Sequence, residues 1–280
     1  MRDSLLLDTL EESEDNDPQE VMPFFSAVVI VPTYNNDQTL AGVLDCIDNL
    51  GLPVIVVNDG STDETAQTIA KWRNASGASA NARMAVEHPV NLGKAAALRT
   101  GFSMAEKVQF THAATIDSDG QLDPEQISEL LAAARKHPDA LVLGVRDSSG
   151  PGYPIRSRWG REISNYLIWL ECGRFVSDSQ CGLRVYPLKI VTGMKCHASG
   201  YGYETEVITR AVWAGCQIRE VPVRCQYFPH GSRVSHFRPW IDSARSLGMH
   251  MRLLLTSTLP HSAVGHESPR SNCRTQNSSR

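Results

Sequence analysis

The sequence lacks three features, each of which would have assigned it to a particular class of protein. No run of about 18 apolar residues occurs in the 280-residue chain, so we predict no transmembrane helix. No basic segment followed by an apolar core opens the chain, so we expect no signal peptide. The formal net charge is −4, which gives no basic field for nucleic acid, and we expect no nucleic-acid partner.

Paired cysteines and two common nucleotide-binding motifs are also missing. The seven cysteines include no C-x-x-C pair, which argues against a zinc site or a disulfide framework. Such cysteines are typical of a reducing compartment, so we expect a cytoplasmic protein. No G-x-G-x-x-G follows the first predicted strand and no G-x-x-x-x-G-K-S/T occurs, which argues against a Rossmann dehydrogenase and a P-loop NTPase.

Composition divides the chain into four parts. Residues 1–24 form an acidic leader and residues 260–280 a polar tail, and we expect both to be disordered. Residues 25–239 alternate short apolar strands with capped helices, which predicts an α/β domain whose mostly parallel sheet carries helices on both faces. Residues 240–259 form a further helix, which is amphipathic.

The most informative stretch places two carboxylates and an amide at alternate positions after the apolar run His112–Ile116. If this run is a strand, Asp117, Asp119 and Gln121 can point the same way at its C-terminal end, where ligands bind in open α/β sheets. Mg²⁺ is typically held by one or two carboxylates together with substrate phosphates. The stretch therefore indicates a metal site for a nucleotide diphosphate, with an ordinary aspartate turn as the alternative.

Two further polar loops should lie beside this stretch. Residues Pro32–Asn36 follow the first predicted strand, and Asn58–Ser61 follow the second. The carboxyl ends of parallel strands share one edge of a sheet, so we expect all three loops to meet there.

At these points the chain resembles glycosyltransferase family 2, which has the GT-A fold. That family carries P-x-Y-N after the first strand, D-D-G-S after the second and D-x-D after the fourth. More narrowly, the chain is similar to the dolichyl- or polyprenyl-phosphate mannose and glucose synthases. The supporting segments are Asn91–Lys94, Asp117–Gln121, Cys181–Tyr186 and Glu220–Val223.

The resemblance implies a role for individual residues. Those at the nucleotide would be Pro32, Tyr34, Asn35, Asp59, Lys94 and, in a basic Gly/Ser loop, His236. Those at a Mg²⁺ or Mn²⁺ ion and the diphosphate would be Asp117, Asp119 and Gln121. The arginine that meets phosphate would be Arg184.

The chain also departs from the family pattern at three positions. Asn36 stands where the family often has Glu, and Asn58 replaces the first Asp of D-D-G-S. His236 stands where related synthases usually have Lys. The Asn58 departure leaves the base of the donor nucleotide undefined.

Acid–base chemistry has two candidates, Asp178 and, in the pair Glu204 and Glu206, chiefly Glu206. A sugar hydroxyl acceptor needs a general base, whereas a phosphate acceptor is already an oxyanion and needs none. Glu206 also fits a plain structural role, because a carboxylate near a helix N-terminus complements the helix dipole.

A basic segment further along the chain offers a contact for a charged lipid. Arg156, Arg158 and Arg161 begin a predicted helix and would attract a phosphorylated lipid, with a solvated basic face as the alternative.

The resemblance thus implies a metal-dependent, inverting transfer of a sugar from a UDP- or GDP-sugar to a lipid-linked acceptor, with polyprenyl phosphate favoured. Two alternatives stay open. One is a family 2 enzyme acting on a hydroxyl of a lipid or cell-envelope glycan, and the other is a catalytically silent module that binds nucleotide sugars.

The helix over Trp240–Leu255 raises the question of membrane contact. It could lie in the bilayer interface at the inner face of the membrane, with apolar residues inserted and Arg245 and Arg252 at headgroup level. The alternative is a helix that packs on the sheet.

We predict that residues 1–22 and 262–280 can be removed without loss of fold or donor binding. Their composition cannot bury enough apolar area to offset the entropy of ordering them. Limited proteolysis with trypsin and Glu-C should trim both ends and leave a stable core. An N-terminus that resists both proteases would contradict the prediction.

Overall fold

The computed structural model describes residues 24–75, 82–147, 155–226 and 239–257. Its strands are β1 Ala27–Thr33, β2 Val54–Asn58, β3 Arg83–Glu87, β4 His112–Thr115, β5 Ala140–Arg146, β6 Arg184–Pro187 and β7 Gln217–Val223. Its α-helices are α1 Asp37–Asn49, α2 Thr65–Asn74, α3 Lys94–Lys107, α4 Ile127–Lys136, α5 Ile155–Cys172, α6 Leu188–Val191, α7 Gly202–Trp213 and α8 Pro239–Ser257. A 3-10 turn over Pro124–Gln126 precedes α4.

The seven strands form one sheet in the order β3-β2-β1-β4-β6-β5-β7. The first four are mutually parallel, and β5 and β7 form a second parallel pair. Strand β6 lies between the two groups and is antiparallel to both of its neighbours. The predicted α/β fold with a mostly parallel sheet is therefore confirmed, although the sequence did not reveal the short strand β6.

Helices cover both faces of this sheet, as predicted. Because successive side chains of a strand point to opposite faces, Val29 and Val31 of β1 pack with α1, α2 and α4, whereas Val28 and Ile30 pack with α3 and α7. Both clusters are fully buried at the sheet. This double cover leaves the ends of the strands as the place where polar loops can gather.

The start of α2 differs from the one that its sequence favours. Ser61 and Glu64 have the spacing of a capping box, but α2 begins at Thr65, and Asp63 accepts the hydrogen bond from the Thr65 N–H. Ser61 is used elsewhere, because its hydroxyl accepts a hydrogen bond from the backbone N–H of Asn35 at 3.0 Å. The side chain that would have capped the helix instead joins the loops after β1 and β2.

No helix in the four described ranges combines the length and the apolar content that crossing a bilayer requires. The predicted acidic leader and polar tail lie outside the described residues, and their disorder stays a prediction.

Candidate active site

The loops after β1 and β4 are joined by buried hydrogen bonds. The Asn36 amide donates to the Ser118 hydroxyl at 2.7 Å, and the Thr39 hydroxyl donates to the Ser118 carbonyl at 2.6 Å. Ser118 is therefore held down in the fold, with Asp117 and Asp119 half-buried on either side of it. Asn36 thus has a clear local role as the anchor of the aspartate loop.

The two aspartates reach the carboxyl edge of the sheet, but Gln121 does not share their exposure. One Asp119 oxygen accepts the backbone N–H of Gln121 at 3.1 Å. Gln121 itself is buried, and its carbonyl accepts the N–H of Gln226. Of the three predicted ligands, Asp117 and Asp119 lie at the edge of the sheet, whereas Gln121 is buried.

Lys94, the first residue of α3, lies between Asp117 and a third carboxylate, Glu204 of α7. Its ammonium is 2.6 Å from Asp117 Oδ1 and 2.8 Å from Glu204 Oε2. Burial alone would lower the pKa of Lys94, but the charges and hydrogen bonds of Asp117 and Glu204 raise it well above its ordinary value. A fixed positive charge therefore lies at the end of β4.

Glu204 is the acidic residue of α7 that reaches the site, and Glu206 is not. One oxygen of Glu206 binds Arg210 at 2.7 Å, and the other accepts the backbone N–H of Ala198 at 2.6 Å and a bond from Arg252 at 3.2 Å. Residues two apart on a helix are rotated by about 200° and point to nearly opposite sides. The structure therefore brings Glu204 to the site and holds Glu206 away from it, a difference that helical periodicity could have indicated.

The pKa of Glu206 fits a structural role. Burial would raise this pKa, but the N–H of Ala198 and the guanidinium of Arg210 outweigh it and lower the pKa. A carboxylate held in this way is a weak base and stabilises the junction of α7 with α8.

Asp59 is buried beneath the loop that leads to Lys94. Its oxygens accept the N–H groups of Leu92 at 3.0 Å and Gly93 at 2.7 Å, and His88 Nδ1 lies 2.7 Å away. Gly60 allows this loop to approach, because a Cβ there would lie 2.4 Å from the Val90 carbonyl carbon and its φ is +68°. Asp59 thus fixes the start of α3, a function that its motif alone did not indicate.

The predicted nucleotide residues after β1 lie at the same edge. Asn35 has a positive φ of 49°, and its side-chain oxygen accepts the Thr62 N–H at 2.8 Å. Pro32 belongs to buried β1, and Tyr34 is half-buried between Pro32 and Asn35. The structure therefore brings Pro32, Tyr34 and Asn35 beside the Asp59 loop.

Asp178 lies in a separate cluster of charges at the end of β5. Both of its oxygens bind the Arg146 guanidinium, at 2.7 and 3.0 Å, and Arg161 approaches to 3.8 Å. Burial would raise the pKa of Asp178, but the hydrogen bonds and charge of Arg146 lower it below its ordinary value. Asp178 is fully buried and ionised, so it is placed to hold two arginines and not to remove a proton from a substrate.

Arg184 is placed differently from its predicted role at a phosphate. Its guanidinium is fully buried and donates to the carbonyls of Cys181, Glu204 and Ser179, each at 2.7 Å. No part of the side chain is exposed at the edge of the sheet. Arg184 therefore joins β6 to α7, and the structure does not bring its guanidinium to the edge where the phosphate contact is predicted.

Gly182 provides room for the Asp117 carboxylate. A Cβ at Gly182 would lie 2.2 Å from Asp117 Oδ2 and 2.6 Å from its Cγ. Glycine is thus required in the segment Cys181–Arg184 because an aspartate side chain lies against its backbone.

Two predicted contacts lie outside what can be described. His236 falls in residues 227–238, which are not among the described ranges, and the side chain of Arg156 is not described either. Arg158 is exposed, whereas Arg161 is buried against Asp178.

The donor set at β4 fits a hard divalent cation. No group of three His, Cys, Asp or Glu side chains within reach of one metal ion occurs in the described part of the chain. Mg²⁺ needs only one or two carboxylates when substrate phosphates and water complete its shell, and Asp117 and Asp119 supply two. The buried Glu204 Oε1 has no hydrogen-bond partner among the described residues, so a hydrogen-bond donor or a cation at this position would satisfy it.

The fold and its paired aspartates define an α/β enzyme of the GT-A type. A family model described as "Glycosyl transferase family 2" matches residues 28–191, which is more than half of the chain. The chain belongs to this family and is a family 2 glycosyltransferase.

Three similar proteins carry names that refer to dolichyl phosphate or a polyprenol. UDP-N-acetylglucosamine–dolichyl-phosphate N-acetylglucosaminyltransferase of Methanococcus voltae is 26% identical over 213 residues, covering 71% of this chain and 85% of that protein. Dolichyl-phosphate beta-glucosyltransferase of Drosophila melanogaster is 27% identical, covering 82% and 76%. Polyprenol monophosphomannose synthase of Mycolicibacterium smegmatis is 27% identical, covering 76% and 82%.

Solved structures share the fold at lower identity. Glucosyl-3-phosphoglycerate synthase of Mycobacterium tuberculosis, in complex with Mn²⁺, UDP and phosphoglyceric acid, is 20% identical with a TM-score of 0.59 and covers 86% of this chain and 81% of its own. Mannosyl-3-phosphoglycerate synthase of Rubrobacter xylanophilus is 18% identical with a TM-score of 0.57, covering 82% and 73%. These likenesses establish the fold alone.

We predict that Gly182→Ala weakens metal-dependent donor binding and leaves the melting temperature nearly unchanged. The new methyl group displaces the Asp117 carboxylate, a flexible side-chain end, rather than backbone. Losing one charged contact should raise the Kd for the donor at least about tenfold in calorimetry with Mn²⁺. Gly42→Ala, where nothing lies within 4 Å, is the control. An unchanged Kd would show that Asp117 does not hold the donor.

We predict that Arg184→Met lowers stability, because it leaves three buried carbonyls without their donor. The expected cost is about 3–5 kcal/mol, measured by thermal or denaturant unfolding. Arg219→Met, at an exposed site, should have little effect. A variant at Arg184 with normal stability and lost transfer would instead restore the predicted role at a phosphate.

Proposed function

We propose that this protein is an inverting, metal-dependent glycosyltransferase that moves a sugar from a nucleotide diphosphate sugar to a polyprenyl phosphate. The observation that carries the proposal is the state of Asp178 and Glu206. Both carboxylates are bound by arginines and have lowered pKa values, so neither is suited to act as a general base. An acceptor that is already an oxyanion requires no base.

The donor would bind over the ends of β1, β2 and β4. Asp117 and Asp119 would hold Mg²⁺ or Mn²⁺ together with the diphosphate, and the ion would supply positive charge to the leaving group. Lys94 adds a second positive charge beside Asp117, at the N-terminal end of α3. We assign the nucleoside to Pro32, Tyr34 and Asn35.

The acceptor phosphate would bind near Arg146, whose guanidinium is partly exposed, with the buried Arg161 behind it. Asp178 holds both guanidinium groups at the end of β5, so their charges are placed before the acceptor arrives. Arginine suits this role because its planar fork matches phosphate oxygens. The ionised Asp178 then serves as a positioning residue for the two arginines.

The proposed reaction balances without proton transfer from the acceptor. An oxygen of the lipid phosphate attacks the anomeric carbon from the face opposite the nucleotide. The new carbon–oxygen bond forms as the bond to the diphosphate breaks, and the nucleoside diphosphate leaves with the electron pair. The relatives from Methanococcus voltae, Drosophila melanogaster and Mycolicibacterium smegmatis carry names for dolichyl or polyprenol phosphate chemistry, which supports this acceptor class.

One observation favours a hydroxyl acceptor as the second candidate. Glu204 Oε1 is buried and has no hydrogen-bond partner among the described residues, so it could accept the proton of an alcohol. In that case Glu204→Gln would abolish transfer to the alcohol, whereas transfer to a phosphate would decrease only through the weakened contact with Lys94.

The decisive experiment compares a short-chain prenyl phosphate with the corresponding prenol, using a panel of UDP- and GDP-sugars and Mn²⁺. We expect transfer to the phosphate and none to the alcohol. Arg146→Lys should keep the charge beside Asp178 and lose the fork, raising KM for the prenyl phosphate about tenfold or more while donor Kd is unchanged.

The control is Arg219→Lys, which lies on the exposed edge strand β7. Transfer to the prenol would contradict the proposed phosphate acceptor and support a hydroxyl acceptor. Donor binding without any transfer or hydrolysis would instead identify a silent binding module.

A further inference from the structure

Helix α5 has its polarity reversed relative to an ordinary surface helix. Four large apolar residues, spaced by four, three and four positions, share one face that points to solvent. Trp159 is 67% exposed, Ile163 57%, Tyr166 56% and Leu170 44%. A surface helix usually turns such a face towards the core, so the environment of this face requires an explanation.

The opposite face of α5 is buried and mostly polar, with Ile168 as its contact in the hydrophobic core. Asn165 accepts the N–H of Ser179 at 3.0 Å and donates to the carbonyl of Ser177 at 2.9 Å. Glu171 lies 2.6 Å from His250 Nδ1 of α8. The protein therefore uses the polar face of α5 to hold the Asp178 loop and α8, and it leaves the apolar face outside.

Helix α8 adds a second apolar stripe beside the first. It packs on the fold through Met249 and Leu253, as one alternative from the sequence proposed. Leu247, Met251 and Leu255, spaced by four, are between 52% and 69% exposed. The apolar surface of this end of the molecule thus comes from two neighbouring helices, and α5 contributes the larger side chains.

The composition of this surface fits a bilayer interface. Tryptophan and tyrosine are the side chains enriched at the headgroup level, where one end is apolar and the other is wet. Exposed Arg158 on α5 and Arg245 on α8 lie where they can meet anionic headgroups. A second copy of the chain would cover apolar area equally well but would give no reason for arginines that flank it.

We propose that the exposed faces of α5 and α8 together form a surface that inserts into the headgroup region of an anionic bilayer. Arg161, on the opposite and buried face of α5, contacts Asp178, so the helix that inserts also borders the charge cluster that holds Arg146. This inference deepens the proposed function, on which its choice of lipid acceptor rests.

The test is flotation with vesicles of phosphatidylcholine and phosphatidylglycerol, using the full chain and a triple variant, Trp159→Gln, Ile163→Gln and Tyr166→Gln. Each substitution removes apolar area that would be inserted in the bilayer, so the membrane partition coefficient of the protein should decrease at least about a hundredfold. All three residues are exposed, so the fold should persist. Val108→Gln, which is exposed at the far end of α3, is the matched control and should float like the unaltered chain.

Each possible outcome either supports the inference or favours a rival. Equal flotation of the triple variant and the unaltered chain would overturn it. A chain that does not float, but forms a dimer in ultracentrifugation that the triple variant abolishes, would also overturn it and identify a second copy as the occupant. Transfer to a water-soluble, short-chain prenyl phosphate should survive in the triple variant. Flotation without transfer to any prenyl phosphate would refute the proposed function and leave the membrane surface standing.

Discussion

The contact of one ammonium with two carboxylates sets the geometry of this site. Lys94 begins α3, Asp117 follows β4 and Glu204 lies in the first turn of α7, so three distant parts of the chain converge on one charge. Without that charge the two carboxylates would repel at close range, more strongly in a buried setting than in water. Asp59 provides the placement, because it binds the backbone that leads into Lys94. The site is therefore organised by electrostatics inside the protein before any substrate enters.

A short segment between α5 and β6 supports both halves of this arrangement. Asp178 holds the arginines at β5, Gly182 leaves space for Asp117, and Arg184 binds the backbone of Glu204. These residues lie within seven positions of one another, yet each serves a different element. Because these buried polar contacts are gathered in one segment, a change there would disturb the proposed donor and acceptor sides together.

The strands with local signals were predictable from the sequence, whereas the roles of several polar residues were not. The apolar run His112–Ile116 located β4 closely, and the polar loops at Pro32–Asn36 and Asn58–Ser61 located the ends of β1 and β2, since a buried parallel strand leaves a continuous apolar pattern. Strand β6 was missed because four residues led by an arginine carry no such pattern. The motifs also predicted that Asp117 and Lys94 lie at one edge of the sheet, as they do. Arg184 and Glu206 instead form hydrogen bonds within the protein, because only tertiary packing decides which way a side chain points.

Strand β6 also divides the sheet into two parallel blocks. It shares four residue pairs with β4 and two with β5, and within the described residues the two blocks are otherwise linked only by an isolated bridge between Leu122 and Cys225, outside the strands. One block carries the edge to which we assign the nucleotide, and the other ends at Arg146, to which we assign the acceptor. On these assignments, donor and acceptor specificity would reside in separate blocks of the sheet. An exchanged acceptor block would then have to pair with β6 in the same antiparallel register.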